Sequence, residues 1–397
     1  MSFFRKLSPL EVTFLADDIP GYSMLVNQFI LEGDGDIDLD HFKASVAKAS
    51  AVNPGCRLIL KGYWKWRYWD DGGPLPSVDV LESDWDGESS EGAPVLGSPI
   101  NPRVGPNTQI TIIKGDKTRL LFRTHHATMD GMGMLAYAVD VFNALRGEDL
   151  RGTNGRKTDW DVVQTVDHPK TPTAKGNCIP ITPVAKNSEA TGCRWVRLRW
   201  EGKYTKIAAK MTLAACRIAW RNNGTDKRIV MRIPSDLRRY LAEEDGINLG
   251  NLTGAIDIEV PPDATVNSIQ SSIIKQMRNN QDLAVFPDNF PLAFWMPKRV
   301  FRNNPNRNRL LHEKGIYPMT GTVTYLGNVD PSQYDFGDFK ATSTYGVPIP
   351  YETKPIFIGF NVNPKGLNAV VGVPKALANH EELLQLCEDL KQELDAF

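Results

Sequence analysis

The sequence predicts a mixed α/β (α+β) protein of two lobes joined by a long linker, and three observations predict it. The chain has 397 residues, long for one compact core and comfortable for two of ordinary size. Hydrophobic residues make up 41% and charged residues 23%, the balance of a folded globular chain. Strand and helix signals follow one another on both sides of residues 151–193, a stretch rich in Thr, Pro, Gly, Lys and Asn with weak periodicity. The expected division is a first lobe at 1–150, a linker at 151–193 and a second lobe at 194–397.

In the first lobe, Leu39, Phe42, Val46 and Ala49 recur at helical spacing, with Asp38 or Asp40 placed to cap the first turn. Asn53-Pro54-Gly55 ends that helix. The segment RLILKGYWKWRYWD (57–70) reads as extended chain, and its Trp64, Trp66, Tyr68 and Trp69 predict one sheet face packed on the core. A breaker, Asp71-Gly72-Gly73-Pro74, opens an acidic, loop-rich stretch to about 107. QITII (109–113) and RLLFRTHH (119–126) are expected to form two strands joined by a turn at Lys114 to Lys117. A helix at 132–146 follows.

The second lobe is expected to begin with a strand at 194–200 and a helix at 203–222. Strands at 228–233 and 254–260 come next, then a helix at 265–280 after Pro261-Pro262. Strands at 319–326, 337–343, 355–362 and 367–372 and an amphipathic helix at 379–395 complete it.

Composition excludes several classes. Five cysteines, an odd number with no C-x-x-C pair, argue against a disulfide framework or a zinc knuckle and fit a reducing compartment. No apolar h-region follows the first positive charges, and no uninterrupted apolar run approaches the ~18–20 residues of a spanning helix, so the expectation is a cytoplasmic protein without a membrane span. Formal net charge is −1, yet residues 1–100 carry 8 Lys/Arg against 16 Asp/Glu, and residues 151–240 carry 19 against 7. The basic stretch reads first as a solvated surface and second as a means of steering an anionic partner; nucleic acid is not expected. Neither G-x-S-x-G nor a P-loop occurs. Gly131 to Ala136 matches G-x-G-x-x-A, but no acidic residue on a second strand follows, so the match reads as coincidence.

The segment most able to carry chemistry is HHATMDG, residues 125–131, between a predicted strand and a helix. Successive strand side chains point to opposite faces, so His125 and His126 cannot converge on one metal, and no second His/Cys cluster exists. A single histidine at a strand end suits general-base work instead, because an imidazole with pKa about 6.5 is mostly neutral near pH 7. Asp130, on the turn, is placed either to pair with a distant cation or to touch the imidazole. Gly131 follows where a tight turn would favour positive φ.

HHxxxDG in this strand–turn–helix setting resembles the signature of condensation domains of nonribosomal peptide synthetases and their relatives, the wax ester synthases and polyketide-associated acyltransferases. LSPLEVTFL (7–15) and LDHFKASVAKASAVNPGCRL (39–58) resemble the opening of these enzymes. RIPSDLRRY with GINLGNLTGAIDIEV (232–260) is similar to their arginine-bearing segment and the strand after it. TYLGNV (324–329) resembles a segment where many relatives have Ser-Asn-x-x-Gly; here Thr324 and Tyr325 stand in that place. YDFGDF (334–339) is similar to the DFGWG of plant acyltransferases, without its Trp.

The resemblance implies two chloramphenicol-acetyltransferase-like lobes forming a V-shaped pseudo-dimer with a tunnel at their interface. It implies an acyltransferase in which His126 is the general base. Asp130 would be structural and paired with Arg238, or else Arg239, with His125 and Gly131 shaping the loop. Asn251 and Thr324 would touch substrate. The donor would be an acyl thioester of coenzyme A or of an acyl or peptidyl carrier protein, and the acceptor a small alcohol or amine. Natural-product or lipid biosynthesis would be the setting, with no metal or redox cofactor. Two alternatives stand beside it: a free-standing, carrier-dependent condensation enzyme, and an inactive binding or scaffold member of the fold.

Overall fold

The computed structural model describes residues 3–16, 25–170, 176–183, 187–188, 190–296, 305–347 and 352–397. Elements are numbered along the chain. Two large sheets, each covered on one face by helices, organise it.

The first sheet contains β2 (Val26–Asp34), β5 (Ser77–Glu82), β6 (Thr108–Lys114), β7 (Thr118–His125) and β12 (Lys340–Val347), in the order β12-β2-β7-β6-β5. The expected hairpin is present: β6 and β7 pair antiparallel, Ile112 opposite Leu120. Helix α2 (Leu39–Val52) starts at Asp38, whose side chain accepts from the backbone N–H of His41 at 2.7 Å. With α3 (Gly131–Arg146) it buries Phe42, Val46, Tyr137 and Phe142 against Phe29, Leu31 and Phe122 of the sheet.

Strand β12 crosses the division expected at 194. It lies in the second half of the sequence but pairs antiparallel with β2, Tyr345 opposite Ile30. Without it β2 would be an open edge, and Tyr345 and Val347 would lack the apolar cluster they share with Ile30 and Leu121. The first sheet therefore takes one of its strands from the span 194–397. Residues 334–339 follow β12 into the first lobe: Tyr334 and Phe339 are buried beside Phe142, with ring centroids at 5.3 and 6.3 Å.

The second sheet has six strands: β8 (Cys193–Glu201), β9 (Val230–Asp236), β10 (Thr253–Glu259), β11 (Gly321–Asn328), β13 (Ile356–Asn363) and β14 (Gly366–Pro374). Their order is β10-β9-β11-β13-β14-β8. Helices α5 (Ile207–Asn223), α6 (Val266–Arg278) and α8 (His380–Asp395) cover one face over a core that includes Leu213, Ile218, Ile358, Val371 and Leu390, and α7 (Pro305–Lys314) precedes β11 in the chain. Side-chain caps at Thr265 and Asn379 fix the starts of α6 and α8.

Between the sheets lies a buried ion network. Glu32 on β2 accepts from Arg119 at 3.0 Å and is 3.4 Å from Arg197 of β8, and both guanidiniums are almost fully covered. A third, small sheet, β1 (Phe4–Lys6), β4 (Tyr68–Asp70) and β3 (Ile59–Lys61), shares a core with α1 (Pro9–Ala16). Here the expected 57–70 strand is broken. Trp64–Trp66 form a 3-10 turn with exposed rings, and only Trp69 of the four aromatics is buried. Glycine at 62 and the turn behind it divert the chain before a continuous strand can form.

The linker expectation holds a helix the composition concealed: α4 (Asp159–Thr165), opened by a capping box between Thr158 and Asp161. Parts of 151–193 lie outside the described residues.

Candidate active site

Strand β7 ends at His125, and His126 leaves the sheet with its N–H donating to the carbonyl of Leu25 at 2.8 Å. The two histidines part as strand geometry demands. His125 is completely buried; its Nδ1 accepts from the N–H of Ala127 at 3.1 Å, and its carbonyl accepts from Thr128 Oγ1 at 2.7 Å. It shapes the turn. His126 keeps 8% of its surface exposed.

The His126 ring is held from three directions. Phe14 of α1 stacks on it, centroids 4.4 Å apart and planes 16° from parallel. The carbonyl of Met129 lies 3.3 Å from Nδ1, and the amide nitrogen of Asn27 on β2 lies 3.0 Å from the same atom while donating to that carbonyl at 2.5 Å. Two tautomers are accommodated: Nδ1–H donating to Met129, or Asn27 donating to a bare Nδ1. Nε2 makes no hydrogen bond among the described residues. Burial pushes the imidazole pKa down to about 4, against the opposing pull of Asp130, so the ring is neutral near pH 7.

Asp130 does not touch the imidazole. It is the N-cap of α3, with Oδ1 accepting from the N–H of Gly133 at 2.8 Å. Arg238, in the 3-10 turn after β9, grips both oxygens, Nη2 to Oδ1 at 2.9 Å and Nη1 to Oδ2 at 3.0 Å. Leu252 N–H adds a bond to Oδ2 at 2.9 Å. The remaining Arg238 donors reach the carbonyls of Asn248 and Gly250 and the carboxylate of Asp236. Arg239 turns away to Asp282 at 2.9 Å. One carboxylate thus ties the histidine loop of the first half to the β9–β10 segment of the second, through a fork that suits Arg and not Lys.

That segment also supplies Asn251, whose amide donates to the carbonyl of His126 while its Oδ1 is buried without a partner. Gly133 is needed for its close approach: a Cβ there would stand 2.1 Å from the carbonyl oxygen of Leu249. Gly131 differs from the expectation of positive φ. It is the first helical residue, and its small size admits Leu326 of β11, 3.2 Å from where a Cβ would be. Thr324 on β11 makes no hydrogen bond to the His126 group among the described residues, and it pairs in the ladder with Gly359.

Sequence reading missed Phe14 and Asn27. Phe14 lies inside LSPLEVTFL (7–15), where apolar spacing gives no hint of a ring partner. Asn27 lies on β2, a strand buried along nearly its whole length and so lacking any alternation to reveal it. Much of the basic 151–240 stretch is internally paired: Arg199 with Glu88, Arg221 with Glu393, Arg232 with Asp257 and Arg238 with Asp130. Those groups serve the fold rather than an anionic visitor. Among the described residues no three His, Cys, Asp or Glu side chains gather as a metal site, and no helix is long and apolar enough to cross a membrane.

No protein-family model matches the chain, and no curated protein resembles it closely enough in sequence to be matched. Solved structures do match. A variant of the starter condensation domain of rhizomide synthetase RzmA in complex with C8-CoA is 16% identical, covering 99% of this chain and 94% of that one with a TM-score of 0.70. The first condensation domain of the calcium-dependent antibiotic synthetase, in complex with a substrate analogue, is 14% identical over 99% and 95% with a TM-score of 0.69. The condensation domain of the Monacolin K polyketide synthase MokA is 11% identical over 99% and 97% with a TM-score of 0.66. At such low identity these matches speak for architecture, and over nearly its full length the chain has the condensation-domain fold.

Proposed function

We propose that the chain is an acyltransferase that moves an acyl group from a thioester to a hydroxyl or amine, with His126 as general base. The observation that carries the reading is the state of one ring. His126 is neutral, clamped at Nδ1 and by Phe14, and leaves Nε2 without a protein partner. In the tautomer with Nδ1–H donating to Met129, Nε2 bears the lone pair that accepts a proton.

The acceptor O–H or N–H gives that proton to Nε2 as its oxygen or nitrogen attacks the thioester carbonyl. The tetrahedral adduct collapses, the C–S bond breaks, and the departing sulfur takes the proton back from Nε2. Ester or amide and free thiol are the products, and the imidazole is regenerated. Asp130 and Arg238 hold the loop and do not exchange protons. Asn251, with a buried acceptor oxygen unused by the protein, is the residue best suited to meet an acceptor N–H or O–H. The complexes of similar condensation domains with C8-CoA support a thioester donor here. The assignment of Thr324 as a substrate contact has no support in the hydrogen bonds, and small acceptors from natural-product or lipid biosynthesis remain the proposed class.

The test is to incubate the purified chain with acyl-CoA, or with acyl carrier protein thioesters, plus pools of alcohols and amines, following free thiol and product mass. Acceptor-dependent thiol release from acyl-CoA is the expected result. Release only from carrier thioesters selects the carrier-dependent condensation enzyme. Silence with both donors favours a scaffold and defeats the reading.

A further inference from the structure

The turn between β3 and β4 presents an unusual surface. Tyr63 is 80% exposed, Trp66 68% and Trp64 54%, and Trp295, from the segment packed on α1, is 52% exposed. Folded chains rarely leave rings of this size in one exposed group unless something docks on them.

The turn is built to hold them outward. Trp64 sits at φ 51° and Gly62 at φ 71°, where an added Cβ would meet the carbonyl oxygen of Trp66 at 2.2 Å. A non-glycine residue in the left-handed region costs free energy that the surroundings must offset. Two arginines do so: Arg67 Nε donates to the carbonyl of Trp64 at 2.7 Å, and Arg103 Nη1 to that of Gly62 at 3.0 Å.

The cations lie on the rings. Lys65 Nζ is 4.0 Å from the Trp295 centroid and 4.7 Å from that of Trp66, while Arg103 lies 5.2 Å over Tyr63. Trp64 meets Trp295 edge to face at 5.6 Å. None of Lys65, Arg67 and Arg103 has a carboxylate partner among the described residues. Burial and the nearby Arg103 together hold the Arg67 guanidinium below its ordinary range. This is a local positive field, two of its three cations drawn from the acidic first hundred residues.

We propose that this turn docks the protein on an anionic lipid–water interface. Protruding indole and phenol rings with cations against their faces suit the headgroup layer, where the ring bodies leave water and the charges meet lipid phosphate. The surface backs onto the core that seats α1, so docking takes place beside the helix whose Phe14 lies on His126. A lipophilic thioester or acceptor dissolved in the bilayer would then be close to the site.

The experiment is cosedimentation of the full chain with phosphatidylcholine vesicles containing phosphatidylserine, against pure phosphatidylcholine, in low and high salt. The expected result is binding to the anionic vesicles that salt weakens. Each Lys or Arg at such a surface contributes about fivefold, so three together favour anionic over neutral vesicles by roughly a hundredfold. Trp64→Ser with Trp66→Ser, and separately Lys65→Glu with Arg103→Glu, should each lower binding at least tenfold with an unchanged circular dichroism spectrum. A third variant, Lys65→Gln, removes charge while leaving the Arg67 and Arg103 bonds that hold the turn and keeps the test valid if the others misfold; a loss of about fivefold is expected. Absence of vesicle binding, or binding that these variants leave intact, overturns the proposal. Sedimentation velocity showing a dimer that the Trp variants disperse would overturn it in favour of a second copy. Capture of an acidic carrier protein without any lipid binding would overturn it as well.

Discussion

Replacing Asp130 by Ala tests the joint between the two halves of the fold. The carboxylate caps α3 through Gly133 N–H, receives both arms of Arg238, and accepts from Leu252 N–H. Loss of an N-cap side chain costs about 1 kcal/mol. A fully buried guanidinium deprived of its partner costs ~3–5 kcal/mol, and the lower end applies because Arg238 keeps 18% of its side-chain surface exposed and Asp236 and two carbonyls remain on it. The orphaned Leu252 N–H adds about 1 kcal/mol. The terms share one site and do not add fully, so the expected loss is about 4 kcal/mol, a large part of the ~5–15 kcal/mol a folded domain has. Urea titration followed by tryptophan fluorescence measures it. Asp130→Asn, which keeps one acceptor oxygen and drops the charge, should lose roughly half as much. Once Arg238→Ala has been made, adding Asp130→Ala should cost far less than it does alone. An Asp130→Ala protein within about 1 kcal/mol of the parent, near the ordinary effect of a surface change, would refute the reasoning.

Two further predictions follow from the loop. The His126 pKa is depressed to about 4 in the folded state against about 6.5 unfolded. Above pH 6.5 the difference contributes nothing; as pH falls toward 4 the unfolded chain binds a proton the folded chain refuses, removing up to about 3 kcal/mol of stability. The acid limb of kcat/KM should accordingly lie near pH 4, and Phe14→Ala, by admitting water to the ring, should move it toward 6.5 in a pH–rate profile. Gly133→Ala should destabilise by more than about 2 kcal/mol in the same urea assay, opposite to the gain of up to ~1 kcal/mol that helix propensity alone gives, because its Cβ would run into the backbone of Leu249.

The hairpin of β6 and β7, the helices α2, α3, α5, α6 and α8, and most of the second sheet were legible because each carries local period or caps: Asp38, Thr265 and Asn379 stand where helix starts require them. Strand β2 was not, since a strand buried on both faces shows no alternation. β12 could be seen as a strand but not assigned to its sheet, because pairing with a segment some 310 residues away leaves no local mark. The Trp64–Trp66 run misled for the reverse reason: its alternation imitates a sheet face, while Gly62 bends it into a turn. At the site, His126, Asp130 and the choice of Arg238 over Arg239 came from the motif and its resemblance. Phe14 and Asn27 did not, because a ring stack and an amide contact across 99 residues exist only in three dimensions.

The central claim is that the Nε2 of one imidazole moves the proton during acyl transfer. The most direct measurement is single-turnover transfer from a thioester by His126→Ala and by His125→Ala, each confirmed folded by circular dichroism. The account predicts that His126→Ala loses roughly 10²- to 10⁴-fold in rate, with the thioester still bound. His125→Ala should lose stability first and rate only as the turn loosens. A His126→Ala protein that transfers acyl groups at the parent rate would contradict it.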